Sequence, residues 1–164
     1  MELTLFPLKD YIELLVVEGL LDGPLPDGLD LGRTVELVSY SSQEVVPGTL
    51  FICKGAHFKP QYLAEAAVRG AFAYVSETAY PDVNLPCIRA NEIRRAMARL
   101  AVKYYNDPAQ RVKVIGITGT KGKSSTAYYL KHILDEHLAP KGRRCGVISS
   151  IDTYDGVEEF ESHL

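Results

Sequence analysis

Apolar and polar positions along the first hundred residues switch repeatedly between a period near 3.6 and short continuous apolar runs. Leu8, Tyr11, Ile12, Leu15 and Val16 share one helical face, so the pattern predicts a helix over 8–20, with Pro7 suited to its first turn and Gly19 to its end. Asp22–Gly32, rich in Pro, Gly and Asp, reads as a loop. Thr34–Tyr40 and Leu50–Cys53 are strand candidates, separated by a turn at Val46–Thr49, and Lys54–Lys59 is a loop leaving the second strand. Pro60 opens a helix carrying Leu63, Ala66 and Ala67, which Gly70 closes. Phe72–Val75 and Leu85–Arg89 are further strands, the latter short or at an edge because Pro86 lacks a ladder donor. Asn91 is placed to cap a helix whose inner face is Ile93, Met97, Leu100, Ala101 and Tyr104, and Asn106-Asp107-Pro108 stops it.

A second series follows. Val114–Ile117 has the length of a buried strand, Thr118–Gly122 turns, and a helix runs over 123–137 with Ala127, Leu130, Leu134 and Leu138 on one face. Cys145–Ile148 reads as a strand, and Ile151–Phe160 as a hairpin about the two-residue turn Asp155-Gly156. Strand–helix alternation throughout makes the class α/β. The helix stop divides the chain into a small α/β domain at 1–107 and, at 108–164, the first β-loop-α-β of a second domain. About 55 residues are too few to close such a parallel sheet, so the chain reads as an N-terminal fragment of a longer protein.

The totals narrow the partners. A net charge of −3 over 164 residues, without a basic block, gives no reason to expect nucleic acid. No signal pattern opens the chain, and Glu13, Glu18 and Gly19 interrupt the longest apolar stretch, so neither secretion nor a membrane span is expected. Cys53, Cys87 and Cys145, far apart and odd in number, read as buried reduced thiols of a cytoplasmic protein.

The chemistry concentrates in Val112–Ser125, VKVIGITGTKGKSS. Strand, glycine loop, Lys-Ser and helix follow in the order of a phosphate-binding loop. Glycines let backbone N–H groups face an anion, and the helix start adds unpaired N–H groups and a positive dipole end. Lys123 is the candidate for reaching the β- and γ-phosphates, and Ser124 for offering its hydroxyl to Mg²⁺. A lysine at a helix start is electrostatically misplaced unless an anion sits there. The motif departs from the commonest form: Ile117 stands where the first glycine belongs, leaving G-x-x-G-K-S.

The run GITGTKGKSSTAYYLKHIL resembles the ATP loop of the Mur ligases and folylpolyglutamate synthetases. Upstream, SYSSQEVVPGTLFICKGAHFKPQYLAEAAVRGAFAYVSE resembles the first domain of the MurE-type members of the Mur ligase family. The resemblance implies an ATP-dependent amide-bond ligase of peptidoglycan synthesis. Such an enzyme adds L-lysine or meso-diaminopimelate to UDP-MurNAc-L-Ala-D-Glu through an acyl phosphate, with Mg²⁺, in the cytoplasm; its relatives are mostly monomeric. By position it implies ATP contacts at Gly119, Thr120, Lys121, Gly122, Lys123, Ser124 and Ser125, with Lys123 neutralising the phosphate and Ser124 meeting the metal. It implies UDP-sugar contact at Ser42, and uridine contact at Ala56, His57 and Phe58. Two departures touch the first domain: the family's D-S-R reads Ser41-Ser42-Gln43, and the uridine loop is Ala-His-Phe. Later metal ligands and the amino-acid-binding domain of the family lie outside this sequence, so the segment is not expected to ligate by itself. Ser42 also suits a turn-closing hydroxyl, and Lys54 and Lys59 a pyrophosphate or plain solvent. A P-loop kinase or ATPase of another kind, or a uridine-nucleotide binding module without catalysis, remain the alternatives.

Overall fold

A computed structural model describes residues 4–54 and 58–161. The chain falls into two compact units, Met1–Val112 and Lys113–Leu164.

The first unit is a four-stranded sheet between helices. Strands β1 (Leu37–Ser39), β2 (Thr49–Ile52), β3 (Ala71–Ser76) and β4 (Cys87–Arg89) pair in that order, all parallel. Parallel strands covered on both faces read as continuous apolar runs. Thr49–Ile52 is buried at every position, and Thr49 satisfies its hydroxyl by donating to the Val46 carbonyl at 2.7 Å. Helices α1 (Leu8–Val17) and α3 (Ile93–Tyr104) cover one face, where Leu8, Tyr11, Leu15 and Leu100 pack on Leu50, Ile52, Val75 and Ile88. Helix α2 (Pro60–Arg69) belongs to the other, where Leu63 and Ala66 meet Phe51, Cys53 and Tyr74.

The predicted elements of this unit are all present, with local corrections. Helix α1 ends at Val17, because Gly19 turns left-handed (φ 67°) and the Leu20 and Leu21 N–H groups both bond the Leu15 carbonyl. Pro7 is its capping residue, and Val16 lies exposed off the buried stripe. Strand β4 is an edge, as Pro86 requires. Asn91 does not cap α3. Glu92 occupies that position with φ 48°, and the Ile93 N–H donates to the Glu77 carboxylate at 3.0 Å. Of the three thiols only Cys53 is buried; Cys87 and Cys145 are half-buried.

The second unit contains helix α4 (Lys123–Leu138) and an antiparallel meander of β5 (Val147–Ile148), β6 (Asp152–Tyr154) and β7 (Glu159–Glu161). The predicted strand at 114–117 is not formed: the segment pairs with no strand among the described residues, and Val114 and Ile115 are 74% and 58% exposed. Its apolar run suits a central parallel strand, and no neighbour of that kind stands beside it here. The hairpin loop is four residues, 155–158, in place of the predicted two. The Asp155 carboxylate accepts the Val157 and Glu158 N–H groups at 2.8 Å each and spreads the turn.

Candidate functional site

Ligands of open parallel sheets gather beyond the carboxyl ends of the strands. In the first unit Tyr40–Ser42 follow β1, and Cys53 and Lys54 follow β2. The Lys54 ammonium sits 4.2 Å from the centroid of the Tyr40 ring, itself 56% exposed, and pairs with no carboxylate among the described residues. Ser42 is buried, and its hydroxyl donates to Glu65 Oε2 on α2 at 2.8 Å. Arg69, one helical turn further along, donates to the Gln43 carbonyl at 3.1 Å. The segment after β1 is thereby stitched to α2 at two successive residues.

Of the predicted uridine contacts, Ala56 and His57 lie outside the described residues. Phe58 packs edge-on to Tyr62 (6.2 Å between centroids) and tilted against Tyr80 (5.5 Å). The Tyr80 N–H donates to the Tyr74 hydroxyl at 2.8 Å, fixing that end of the aromatic group. Burial pushes the Tyr74 phenol up to about 12 and, with the nearby Cys87 thiol adding to it, the Cys53 thiol also to about 12. Both groups are neutral at physiological pH and serve as packing.

In the second unit the glycine loop enters α4 through Gly122, whose φ of 75° is left-handed and favours glycine. The Thr126 N–H makes the first helical bond, to the Gly122 carbonyl at 2.9 Å, and the Thr126 hydroxyl donates to the same oxygen at 2.8 Å. The N–H groups of Lys123, Ser124 and Ser125 therefore precede the helical ladder and stay open to an external acceptor. The Lys123 ammonium folds back to the Gly119 carbonyl at 2.8 Å and braces the loop. Thr120, Lys121 and Ser125 are exposed and Ser124 is half-buried. Ser124 lines a cavity of about 350 Å³ with Ile115, Ile117, Leu130 and Val147. Deeper along α4, Lys131 lies 3.2 Å from Asp135 and 4.0 Å from the centroid of the Tyr154 ring. Asp135 also accepts the Cys145 N–H at 2.8 Å, and these contacts hold its carboxyl below the usual range. The Tyr128 hydroxyl donates to Asp152.

Sequence reading placed Lys123–Ser125 correctly at the start of a helix, and Ser42 just beyond a strand. It missed Glu65, whose only sequence signature is an exposed position on α2. It also missed the Tyr40–Lys54 contact, which joins residues fourteen apart through strand pairing. Among the described residues no group of three or more His, Cys, Asp or Glu side chains forms a metal cage. No helix among them is long and apolar enough to cross a membrane.

A parallel α/β unit followed along the chain by a glycine loop at a helix start defines an α/β protein. The chain is 48% identical over 135 residues to the UDP-N-acetylmuramyl-tripeptide synthetase of Limosilactobacillus reuteri, covering 80% of this chain and 25% of the relative. It is 39% identical over 132 residues to the UDP-N-acetylmuramoyl-L-alanyl-D-glutamate–L-lysine ligase of Streptococcus agalactiae serotype V, covering 80% and 26%. A structure of MurF from Acinetobacter baumannii matches 83% of this chain and 29% of its own at a TM-score of 0.62 and 20% identity, which establishes the fold. No family model matches. Over four fifths of its length the chain is thus similar to MurE-type Mur ligases, and it spans about a quarter of the length of the curated relatives it matches.

Proposed function

We propose that this segment serves an ATP-dependent ligase that adds a diamino acid to UDP-MurNAc-L-Ala-D-Glu in the cytoplasm. In this reading residues 1–107 hold the UDP-sugar and residues 108–164 begin the ATP domain. The observation that carries it is the identity, between 39% and 48%, to amide-forming ligases across four fifths of the chain. L-lysine is the amine named by the Streptococcus agalactiae relative, and meso-diaminopimelate is the competitor to test against it.

The residues at the glycine loop fit a nucleotide phosphate. Three N–H groups precede the α4 ladder, Gly122 needs its left-handed conformation, and Lys123 brings a cation to the same turn. ATP, when bound, activates the D-glutamate carboxylate as an acyl phosphate; phosphoryl transfer asks the protein chiefly for positioning and charge neutralisation. The loop amides from Gly119 to Ser125 orient the phosphates, Thr120 and Lys121 flank them, and Lys123 exchanges its Gly119 carbonyl for phosphate oxygen. Ser124 offers one neutral hydroxyl. That suits Mg²⁺, which takes most of its ligands from nucleotide and water. In the first unit Ser42 meets the UDP-sugar, and Ala56, His57 and Phe58 are assigned to the uridine.

The test is calorimetric titration of the chain with UDP-MurNAc-L-Ala-D-Glu. It is paired with phosphate release by a chain of the relatives' full length, given ATP, the same dipeptide and either diamino acid. Binding by the segment and amine-dependent release by the longer chain are expected. A folded sample that binds no uridine nucleotide would overturn the assignment of the first unit. Binding without turnover by the longer chain would favour a binding module.

A further inference from the structure

We infer that Glu65 is a positioning residue that commits the Ser42 proton, so that Ser42 meets its ligand only as a hydrogen-bond acceptor and selects uracil over cytosine. The inference rests on the proposal that the first unit binds a uridine nucleotide.

A serine hydroxyl has one proton and two acceptor lone pairs. Here the proton points to Glu65 Oε2 at 2.8 Å, a charge-assisted bond of the stronger kind. Ser42 is 7% exposed and its backbone is pinned one residue on by Arg69, which donates to the Gln43 carbonyl, so the hydroxyl has little freedom to rotate away. What remains on the Ser42 oxygen is acceptor capacity, and a ligand must bring a donor to use it.

Two features favour the base as that donor. The Glu65 carboxylate repels a diphosphate and keeps the anionic part of the ligand at a distance. Tyr62 lies three residues before Glu65, on the same face of α2, is 40% exposed, and carries Phe58 against its ring. A planar base has an aromatic surface there beside the Ser42–Glu65 pair. Uracil offers an N3–H donor, whereas cytosine has an unprotonated N3 acceptor that would face the Ser42 oxygen lone pair to lone pair. The Lys54 ammonium, over Tyr40 and without a carboxylate partner among the described residues, lies at the end of the neighbouring strand and suits the phosphates.

The experiment is calorimetric titration of the chain with UDP and with CDP, in the parent and in Ser42→Ala, Glu65→Ala and Glu65→Gln. Glu65 is exposed and alanine is a stronger helix former, so Glu65→Ala keeps the fold; circular dichroism checks it. The parent should prefer UDP by about tenfold or more, the discrimination expected when a polar group is left unpaired. Glu65→Ala frees the proton to serve either base and should bring the UDP:CDP ratio to within about twofold of unity. Ser42→Ala should do the same, and the double variant no more. Glu65→Gln keeps an oxygen that accepts the proton and should retain most of the preference. Equal weakening of both nucleotides in Glu65→Ala, with the ratio unchanged, would show a merely structural role and overturn the inference. A parent that binds UDP and CDP alike would overturn it while leaving uridine-nucleotide binding standing. A folded parent that binds neither would remove both readings.

Discussion

Gly70 gives the most exacting test of how the first unit is held together. It ends α2 with φ +107°, and a Cβ built there would lie 2.9 Å from the Pro47 Cα and 3.2 Å from the Pro47 nitrogen. Both are backbone atoms, so no side chain can swing aside. Gly70→Ala forces a left-handed residue, about 1–2 kcal/mol. It also displaces the Pro47–Gly48 turn, whose Gly48 N–H donates to the Gly70 carbonyl at 3.1 Å. Weakening that bond adds about 0.5–1.5 kcal/mol, and the turn leads directly into the buried β2. The total is about 1.5–3.5 kcal/mol; with a urea slope of about 1.5 kcal/mol/M the midpoint should fall by about 1–2.3 M. Gly23→Ala is the control: φ is +83° but nothing lies within 4 Å of the added carbon, so it should lose only the backbone share. Urea titration followed by far-ultraviolet circular dichroism reads both. Equal midpoints for the two variants at unchanged slope would refute the claim that the Pro47 contact matters.

Three further outcomes are expected. The Tyr11 hydroxyl is buried with no hydrogen-bond partner among the described residues, so Tyr11→Phe should be neutral or stabilise by about 1 kcal/mol in the same urea assay, and a loss would reveal a missed partner. Hydrogen bonding to Arg99, with Arg95 assisting, lowers the Glu18 carboxyl. Its contribution is therefore complete above the unfolded carboxylate pKa and disappears as pH falls through the lower folded value; Glu18→Gln should flatten that acid limb of the stability curve measured by thermal melts from pH 6 to 3. In a chain of the relatives' full length, Lys123→Ala should weaken ADP binding by about tenfold or more in a fluorescent-nucleotide displacement assay, since it removes a phosphate's charge-assisted partner.

What was legible in the sequence follows the range of the forces involved. Strands β2 and β3 showed themselves as apolar runs because both their faces are covered, and α1, α2 and α3 through their periodic faces. Gly70 and Gly122 were readable because left-handed backbone selects glycine whatever surrounds it. The failures arose where a distant group overrode a local preference. Asn91 is a good capping residue, yet Glu77, sixteen residues before Ile93, took the open N–H. Asp155-Gly156 is a strong two-residue turn, yet the Asp155 side chain closed a longer loop. The Ser42–Glu65 bond spans twenty-three positions and left no trace in either local pattern.

The two candidate sites differ in how their frames are supported, and that difference predicts how each should bind. Ser42 sits in a unit with apolar clusters on both faces of its sheet and is fixed from α2 by side-chain bonds. The glycine loop is suspended between a segment without strand pairing among the described residues and a helix with no fully buried residue. Backbone amides bind phosphate well when the loop is already in place, because ordering a residue costs about 1–2 kcal/mol that must come out of the binding energy. Holding five or six loop residues against an anion can thus consume most of what three N–H groups and one lysine return. An ordered partner for Val114–Ile117 would lower that cost and strengthen the same amides as ligands. On this argument the proposed nucleotide affinity depends on how the frame around the loop is ordered more than on the loop sequence, whereas the proposed contact at Ser42 rests on a frame that the first unit already supplies.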